Sequence, residues 1–388
     1  MDTADKFAEV FGADPEVRVR APGRVNLLGE HTDYSGGLVL PLAIDRHLDA
    51  LASRRRDGLM RIEAPMVSGS AEVSARSIPQ AQKEHWLNYI LGVAAELWTH
   101  GDFRDGFNLM IDGNLPSGAG LASSAALSVG TAYALSSLFK LGTTDLDLIL
   151  AAQRAEHKYA GVQCGIMDQA ASALSRKDHT LLIDCRTLEM RPVPFGEPGL
   201  LVAVCHTGVK HALAESEYNR RVAECAEALA AVRQKRRGVA CLGELTSADR
   251  LELRGSVSGA VAKRLDHVIL ENERVRAGSA FLEVGDLASF GKLMFASHES
   301  LRDLYEVSCP ELDAIVESAR AQKDAVVGAK MTGAGFGGAV VCLVREEKAA
   351  AFEKRLAEDY LKASGRKVTV ALCRSADGAR ESLVSKKD

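Results

Sequence analysis

The sequence predicts a protein of mixed α and β structure with two domains. Short apolar runs alternate with longer amphipathic stretches along the chain, which is the pattern of mixed strands and helices. A length of 388 residues, at about 150 residues per domain, indicates two domains. Three of the ten prolines fall in the loop 191–199, which marks the candidate boundary. We therefore expect domains over residues 1–195 and 196–388.

The composition of the chain excludes several classes of protein. Hydrophobic residues make up 47% and charged residues 26%, which is the mix of a soluble globular protein with enough apolar side chains for a core. The net charge of −4 argues against a nucleic-acid partner held by a broad positive field. No apolar run reaches the roughly 18 to 20 residues that span a bilayer. The acidic, polar start from Met1 to Asp5 also differs from a secretory signal. We expect neither a nucleic-acid nor a membrane partner.

Eight cysteines are scattered along the chain without a C-x-x-C pair. Most lie among apolar neighbours, as Cys205 does after residues 201–204. This spacing provides neither a structural zinc site nor a disulfide framework. We therefore expect reduced, buried thiols in a cytoplasmic protein.

The first half of the chain starts with strands. Val17–Arg20 alternates apolar and polar side chains, and the apolar run Leu38–Ile44 predicts a second strand on the same sheet. A segment rich in glycine and serine then leads into a helix of small residues that continues to about Phe139. The next helix begins at Thr144, because Thr144 and Asp147 have the spacing of an N-terminal capping pair.

The second half begins with a strand over residues 200–204. Long charged helices follow, and a β-turn-β unit lies near residues 326–344. The basic run 233–237 is typical of a solvated helix end. No internal repeat or low-complexity segment interrupts this order.

A dense polar segment follows the first strand. Between Ala21 and Gly37, five polar or charged side chains fall within ten residues: Arg24, Asn26, Glu30, His31 and Asp33. Such density suits a polyhydroxylated ligand, because each hydroxyl can meet a fixed donor or acceptor. One alternative is a polar turn that caps a helix. Another is a metal site with His31 and Asp33 as ligands, although no H-E-x-x-H helix lies nearby to complete it.

A glycine-rich loop over Leu115–Ala126 runs into the helix of small residues. Glycines let backbone N–H groups approach phosphate oxygens, and the helix N-terminus adds a partial positive charge. Ser123 and Ser124 can bind a phosphate or a Mg²⁺ ion. The lysine of a Walker A loop is missing. The alternative is an ordinary serine-capped loop whose small residues allow close helix packing.

A second glycine-rich segment, Met331–Gly338, formally contains the pattern G-x-G-x-x-G. The strand-like run Ala339–Val344 follows it, where a dinucleotide-binding fold requires a helix. The segment therefore predicts a tight turn between two strands, close to the phosphates or to the other loops.

These three segments, in this order, resemble the superfamily of galacto-, homoserine, mevalonate and phosphomevalonate (GHMP) kinases. The segment 23–34 is more specific, because it resembles the signature of the galactokinase family. Further similarities to that family run along nearly the whole chain: Trp86–Tyr89, Gly165–Gln169, Ser216–Arg221 and Val307–Asp313.

The resemblance implies a two-domain GHMP kinase fold of class α+β with the active site in the cleft between the domains. It also implies transfer of the γ-phosphoryl group of ATP to the anomeric hydroxyl of galactose, giving galactose 1-phosphate in the first committed step of galactose breakdown. ATP is then the co-substrate, Mg²⁺ the cofactor, and galactose with Mg-ATP the partners of a monomeric enzyme.

The resemblance also assigns roles to individual residues. The catalytic pair would be Asp168 and Arg24. The sugar would be bound by Glu30, His31, Thr32, Asp33 and Tyr218, and the phosphates by Gly118, Ala119, Gly120, Leu121, Ala122, Ser123 and Ser124. Ser124 and Glu156 would hold the metal. The chain departs from the family at Ala122, where a serine is frequent, and at Ala334, where a glycine is common.

Three of these residues have an ordinary structural interpretation. Tyr218 shares an apolar helical spacing with Val222 and Cys225, which is typical of a core-facing residue. Glu156 alone is an ordinary helix glutamate, and Asp168 alone is an acid favoured by a helix N-terminus.

Several questions stay open at the level of sequence. Asp168 either removes the proton of the attacking hydroxyl or orients that hydroxyl while Arg24 neutralises charge, since a nearby arginine weakens an aspartate as a base. The alternative functions are a kinase for N-acetylgalactosamine or a pentose, and a non-catalytic sensor of galactose and ATP on the same fold. A metal-dependent hydrolase lacks both H-E-x-x-H and a G-x-S-x-G elbow.

Overall fold

The computed structural model describes residues 2–78, 85–116, 118, 120–195, 199–209, 214–253, 255, 257 and 259–382. The helices in these ranges are α1 Thr3–Phe11, α2 His85–Leu97, α3 Ser123–Phe139, α4 Asp145–Ala155, α5 Met167–Leu174, α6 Ala214–Lys235, α7 Ser247–Glu252, α8 Gly259–Glu283, α9 Leu287–Asp303, α10 Pro310–Ala321 and α11 Ala349–Ser364. The strands are β1 Val17–Asn26, β2 Leu38–Val39, β3 Pro41–Arg54, β4 Leu59–Ala64, β5 Gly69–Ser74, β6 Gly106–Gly113, β7 His179–Asp184, β8 Glu189–Pro194, β9 Leu200–His206, β10 Val326–Thr332, β11 Ala339–Arg345, β12 Thr369–Cys373 and β13 Arg380–Ser382.

A six-stranded sheet in the order β13-β1-β3-β6-β4-β5 organises the amino-terminal half. Helices α3 and α5 pack on β1 and β3, and α2 and α4 pack on α3. Side chains alternate between the two faces of a strand, so Leu51 and Met110 point away from this core and instead pack with Phe7 of α1. The sheet is therefore covered on both faces.

A four-stranded antiparallel sheet in the order β10-β11-β9-β12 organises the carboxy-terminal half. Helices α9 and α10 pack on β10, α11 packs on α10, and α6 and α9 both pack on α8. A separate core of buried side chains fills this half, and Tyr305, Phe352 and Tyr360 are its largest fully buried rings. The β10–β11 turn, residues 333–338, points back toward the amino-terminal half, where Gly333 contacts Gly120.

Most sequence-predicted elements are present with close boundaries. The helix of small residues is α3, which ends at Phe139. Thr144 caps α4 in a full capping box, in which its side chain accepts from the Asp147 N–H and the Asp147 side chain accepts from the Thr144 N–H. The predicted strand near residue 200 is β9, and the β-turn-β unit is β10 and β11. The basic run is the exposed end of α6, where Arg233 also donates to the carbonyls of Val239 and Ala240.

The predicted strand over Leu38–Ile44 is wrong as a single element. Its first two residues form β2, which pairs with β7 in a separate sheet of order β2-β7-β8. The Leu40 N–H donates to the Leu28 carbonyl, and the Leu40 carbonyl accepts from the Leu27 N–H. Leu40 therefore belongs to neither strand, and it separates β2 from β3. The chain joins the six-stranded sheet only at Pro41, where β3 begins.

The loop predicted over 191–199 is also partly wrong, because residues 191–194 belong to β8. Pro192 and Pro194 lie opposite Leu181 and His179 of β7. Since β8 is an edge strand, the missing N–H groups of these prolines break no further ladder. The expected boundary at residue 196 falls outside the described residues, so the division into 1–195 and 196–388 stays a prediction.

The carboxy-terminal segment returns to the amino-terminal half. Strand β13 pairs antiparallel with β1, with Arg18 opposite Ser382 and Arg20 opposite Arg380. Ser375 forms an isolated bridge with Ile44. The first sheet is thus completed by the last described residues. Among the described helices, none is long and apolar enough to cross a membrane.

Candidate active site

A cavity of about 490 Å³ lies where the segment after β1, the end of α4, the starts of α5 and α6, and the β10–β11 turn meet. It is lined by nine of the residues that the sequence predicts for the site: Arg24, Glu30, His31, Asp33, Gly118, Ser124, Glu156, Asp168 and Tyr218. The fold thus brings together residues that are as far apart in sequence as the first strand and the sixth helix.

The centre of the cavity is an ion pair between Arg24 and Asp168. Arg24 Nε donates to Asp168 Oδ1 at 2.7 Å, and Nη2 donates to Oδ2 at 2.5 Å. The third donor of the guanidinium, Nη1, binds the carbonyl of Gly120 at 2.9 Å. Burial lowers the pKa of Arg24, but the charge and hydrogen bonds of Asp168, together with the charges of Glu30 and Asp33, outweigh it, so the pKa is raised. The Arg24 side chain is 5% exposed and that of Asp168 is 25% exposed, so the carboxylate is the accessible member of the pair.

Asp33 lies beside this pair at the start of a 3₁₀ turn, Asp33–Ser35. Burial, and next the charge of Asp168, raises the pKa of Asp33 to about 7. Gly165 packs directly against this carboxylate, because a Cβ at Gly165 would lie 2.1 Å from Asp33 Oδ2. Any larger residue at 165 would displace Asp33 from the cavity.

Glu30 closes the cavity against the carboxy-terminal half. Its Oε2 accepts from Lys330 Nζ at 2.5 Å, and its Oε1 accepts from the Gly333 N–H at 2.7 Å. Both side chains of the pair are buried, with Glu30 3% and Lys330 0% exposed. Glu30 therefore holds the β10–β11 turn in place as well as lining the cavity.

His31 is held in one tautomer by its surroundings. Its Nε2–H donates to the carbonyl of Ala334 at 3.1 Å, so Nδ1 accepts from the hydroxyl of Tyr34 at 2.8 Å. The Tyr34 hydroxyl in turn lies 2.7 Å from that of Tyr305. Burial, followed by the nearby His267, lowers the pKa of His31 to about 3, which keeps the ring neutral. Both ring nitrogens are already engaged within the protein, so the ring offers its face and edge to the cavity.

Of the two remaining residues predicted to bind the sugar, Tyr218 lines the cavity and Thr32 does not. Tyr218 of α6 lines the cavity with its ring 5.5 Å from those of His31 and Tyr34, so its helical spacing does place it against an interior. The buried Thr32 does not line the cavity. Its hydroxyl shares its one hydrogen between the carbonyls of Gly29 and Leu38, at 2.9 and 2.8 Å. Its geometry is that of a residue that shapes the turn carrying Asp33.

The glycine-rich loop leads into the N-terminus of α3 beside the cavity. Gly118 and Gly120 both have positive φ, and Ala122 adopts the left-handed conformation with φ 57° just before the helix. The Leu121 carbonyl accepts from the Arg24 N–H at 3.1 Å, which joins the loop to β1. Ser117 and the predicted phosphate residue Ala119 lie outside the described residues. The two alanines at the positions of departure, Ala122 and Ala334, both occupy the turns that the sequence predicts.

Glu156 and Ser124 form the oxygen-rich end of the cavity. Glu156 begins a π-helical turn over Glu156–Ala160 that continues α4, and its side chain hydrogen-bonds with Ser124. Burial, and next the charge of Asp168, raises the pKa of Glu156 to about 7. Carboxylate and hydroxyl oxygens are ligands suited to a hard cation. In the described ranges no group of three His, Cys, Asp or Glu forms a cage. The donor set therefore fits Mg²⁺, which takes few protein ligands and completes its shell with phosphates and water.

A second cavity of about 520 Å³ adjoins the first. Met66, Val67, Trp86, Leu127 and Ser123 contribute to its walls, and its described lining has no charged side chain, unlike that of the first cavity. It shares Tyr89, Gly118 and Ser124 with the first cavity, so the two meet beside the glycine-rich loop.

Sequence reasoning missed several residues of the site. Lys330 and Tyr305 come from the second half of the chain and meet Glu30 and Tyr34 only in the fold. Trp86 lies in a segment that resembles the family, but no spacing assigns it to a pocket. A lysine inside the apolar strand β10 is the one signal that predicts a buried partner of opposite charge.

Family models match three parts of the chain. The galactokinase galactose-binding signature matches residues 5–54, the GHMP kinases N terminal domain matches 88–176, and the GHMP kinases C terminal domain matches 279–362. The first match contains Arg24 to Asp33, and the second contains the glycine-rich loop, Glu156 and Asp168.

Proteins of known function align along nearly the full length. The galactokinase of Roseiflexus sp. (strain RS-1) is 42% identical over 381 residues, which are 97% of each chain. That of Thermotoga maritima is 40% identical over 365 residues, 94% of this chain and 100% of the relative. The structure of Lactococcus lactis galactokinase complexed with galactose superimposes with a TM-score of 0.92 at 35% identity, covering 97% of this chain and 98% of the other. Methanococcus jannaschii mevalonate kinase, at 20% identity and a TM-score of 0.64, shares the fold.

Proposed function

The chain belongs to the galactokinase family of the GHMP kinases, and we infer that it transfers the γ-phosphoryl group of ATP to the anomeric hydroxyl of galactose with Mg²⁺ as cofactor. The observation that carries the inference is the Arg24–Asp168 pair, which lies in a polar cavity beside a glycine-rich loop and a helix N-terminus. Phosphoryl transfer needs mainly positioning and charge stabilisation, and both are supported by this arrangement.

Asp168 is the group that we expect to meet the attacking hydroxyl. Arg24 donates to both of its oxygens, so the remaining lone pairs of this partly exposed carboxylate are available to the cavity. An acceptor at that position orients the hydroxyl and takes its proton as the new O–P bond forms. A largely dissociative transition state does not need full deprotonation beforehand, which favours orientation as the main role of Asp168. Arg24 then stabilises the charge that gathers at the reacting centre.

The remaining polar side chains of the cavity would recognise the sugar. Asp33, Glu30 and Tyr218 converge on it from the segment after β1 and from α6. The aromatic surfaces of His31 and Tyr218 suit the apolar face of a pyranose, while the carboxylates suit its hydroxyls. A site that pairs each hydroxyl discriminates against an epimer, because a misdirected hydroxyl leaves buried groups unpaired.

The glycine-rich loop and the second cavity would hold the nucleotide. The N–H groups at the start of α3 and the positive-φ glycines suit the phosphates. The apolar pocket around Trp86 suits a flat heterocycle, and we place the adenine there, next to Gly118 and Ser124. Ser124 and Glu156 would hold the Mg²⁺ ion, which when bound offsets the negative charge of the β- and γ-phosphates.

A panel of sugars tests this function. Purified protein with Mg-ATP is offered galactose, glucose, N-acetylgalactosamine and arabinose, and ADP release is measured beside product phosphate on the sugar. We expect kcat/KM for galactose to exceed that for glucose by roughly 10² or more. The Asp168→Asn protein is the matched control for background ATP hydrolysis.

Each outcome of the panel has one meaning. Equal rates with glucose and galactose would refute the assigned specificity. A higher rate with N-acetylgalactosamine or arabinose would identify a kinase for another sugar. Galactose binding by calorimetry without ADP release would identify a non-catalytic sensor.

We also propose that the protein works as a monomer in the cytoplasm. All residues assigned to the cavity come from one chain, so a second copy is not needed to complete the site. All eight cysteines are free thiols, and several are fully buried, which fits a reducing compartment that supplies ATP.

A further inference from the structure

Gln169 is a buried side chain of the cavity region that has no role so far. It follows Asp168 in the first turn of α5 and is 0% exposed. Its Nε2 donates to Glu156 Oε1 at 2.8 Å and makes a weaker contact of 3.6 Å with Cys164 Sγ. The amide nitrogen is thus the end of the Gln169 side chain that faces Glu156.

The other end of the same amide is unpaired. Gln169 Oε1 is buried and has no hydrogen-bond partner among the residues that the structure describes. Leaving a buried amide acceptor unpaired is unfavourable, so the orientation that gives Nε2 to Glu156 is kept at the expense of Oε1. This atom belongs to a side chain already bound to a predicted metal ligand.

The surroundings of Gln169 indicate what its amide nitrogen serves. Glu156 receives hydrogen bonds from Gln169 and from Ser124, and Asp168 directly precedes Gln169 in the first turn of α5. This is an oxygen-rich environment without a cage of protein ligands, so a Mg²⁺ ion here would keep several water molecules. Binding of such an ion would depend on the orientation of the Glu156 carboxylate, which the Gln169 amide nitrogen holds.

We propose that Gln169 is a positioning residue of the metal site, a proposal that rests on the function inferred above. Its Nε2 fixes the Glu156 carboxylate in one orientation. Because Asp168 and Gln169 are consecutive in α5, one helical turn sets both the sugar-facing carboxylate and the metal-facing carboxylate. Outer-shell partners of this kind typically change metal affinity or activity by about 10- to 100-fold.

The test measures metal binding without turnover. Mn²⁺ replaces Mg²⁺, and its affinity for the full-length enzyme with ADP is measured by electron paramagnetic resonance. We expect Gln169→Met, which keeps the length but removes the amide, to weaken Mn²⁺ binding by about 10- to 100-fold. The Mg²⁺ concentration for half-maximal turnover should rise by a similar factor, while KM for galactose at saturating Mg²⁺ stays within about threefold.

A neighbouring glutamine provides the matched control. Gln153 of α4 donates to the Cys164 carbonyl at 3.3 Å and has no recorded bond to Glu156. Gln153→Met should therefore leave Mn²⁺ affinity within about twofold. In the double variant Gln169→Met with Glu156→Gln, the loss should match that of Glu156→Gln alone, because both changes act on one carboxylate.

Two results would overturn the proposal. One is a Mn²⁺ affinity of Gln169→Met within twofold of the parent. The other is an equal weakening of Mn²⁺ and galactose binding, which would show a purely structural role. If Gln169→Met does not unfold cooperatively, Gln169→Asn takes its place, since it keeps an amide but withdraws it by one methylene. A parent protein that binds Mn²⁺ and ADP normally yet phosphorylates no sugar would refute the proposed function and not the role of Gln169.

Discussion

Replacing Glu30 by glutamine removes the negative charge that accompanies Lys330 between the two halves of the protein. The change keeps the size of the side chain, so the packing is nearly unaltered. One amide position must then face the Lys330 ammonium, and Lys330 is 0% exposed, so its charge stays buried without the carboxylate to which it donates. If the amide oxygen faces Lys330, the amide nitrogen faces the Gly333 N–H, which then has no acceptor. If the oxygen faces the Gly333 N–H, that hydrogen bond remains but its acceptor is no longer charged.

The size of the effect follows from burial. Breaking a buried ion pair by removing one partner costs about 3–5 kcal/mol, and neither side chain here is exposed enough for solvent to reduce that cost. The entropy of unfolding is about 2.1 cal/mol/K per residue, or roughly 0.8 kcal/mol/K for this chain. Glu30→Gln should therefore lower Tm by about 4–6 °C if the chain unfolds as one unit, and by about twice as much if only one half does.

The assay is thermal unfolding without substrates, followed by circular dichroism or calorimetry. Glu283→Gln is the matched control, since Glu283 pairs with Arg191 at the surface and its loss should shift Tm by no more than about 1 °C. In Glu30→Gln with Lys330→Met no charge is left unpaired, so this double variant should lose clearly less than the sum of the two single variants. A shift below 1 °C for Glu30→Gln, or strict additivity in the double variant, would refute the reasoning.

The other predictions concern the cavity. Asp168→Asn should reduce kcat by on the order of 10²–10⁴ while the protein stays folded, because the acceptor for the attacking hydroxyl loses its charge; steady-state kinetics measures this. Ser124→Ala and Glu156→Gln should each raise the Mg²⁺ concentration needed for half-maximal turnover, since each removes an oxygen ligand; a Mg²⁺ titration measures this. Asp33→Ala should impair galactose use far more than ATP binding, as judged by KM for galactose against nucleotide affinity. Asp33→Asn should change the pH dependence of stability. The raised pKa of Asp33, about 7, means that the folded parent loses stability as pH rises from about 4 to 7. The Tm of the variant relative to the parent should therefore increase across that range in a pH series.

Each of these predictions has a clear contrary result. Turnover of Asp168→Asn within a few-fold of the parent would remove Asp168 from the reaction. Unchanged Mg²⁺ titrations in both metal-site variants would mean that the ion is held elsewhere. Full galactose activity in Asp33→Ala, or a Tm difference for Asp33→Asn that is flat between pH 4 and 8, would show that Asp33 is neither a sugar ligand nor a destabilising buried acid.

Local signals in the sequence predicted local structure well. The helix over residues 123–139 and the capping box at Thr144 follow from side chains a few positions apart, which is the range over which capping and helical periodicity act. The break at Leu40 depends instead on bonds to Leu27 and Leu28, and the strand β8 depends on being an edge that tolerates prolines. Both features depend on contacts between residues far apart along the chain, so the residues of a short segment do not predict them.

The candidate site shows the same division. The resemblance to the family supplied Arg24, Asp168 and the acidic residues, and the cavity contains them. The partners that hold them are not predicted by the sequence, since Lys330 lies 300 positions from Glu30 and the carbonyl that binds His31 Nε2 belongs to Ala334. From the sequence alone, His31 is a candidate ligand with free ring nitrogens. In the structure both nitrogens are hydrogen-bonded and the ring is neutral, so it contributes a fixed surface to the cavity. The π-helical turn at Glu156 likewise has no signature in the residues themselves.

The pairing of β13 with β1 has a consequence for synthesis on the ribosome. Strand β1 leaves the ribosome long before β13, and among the described residues it is 380–382 that pair with its outer edge. Until these residues have been made, the edge presents unpaired backbone groups, which are a template for association with other chains. Arg18 and Arg20 lie on this strand, and both pair with Asp49. Before β13 is made, these charged side chains are the feature that disfavours pairing of the edge with another strand. A chain that terminates before β13 keeps this edge unpaired, and such incomplete products therefore expose backbone groups that are covered once β13 has paired with β1.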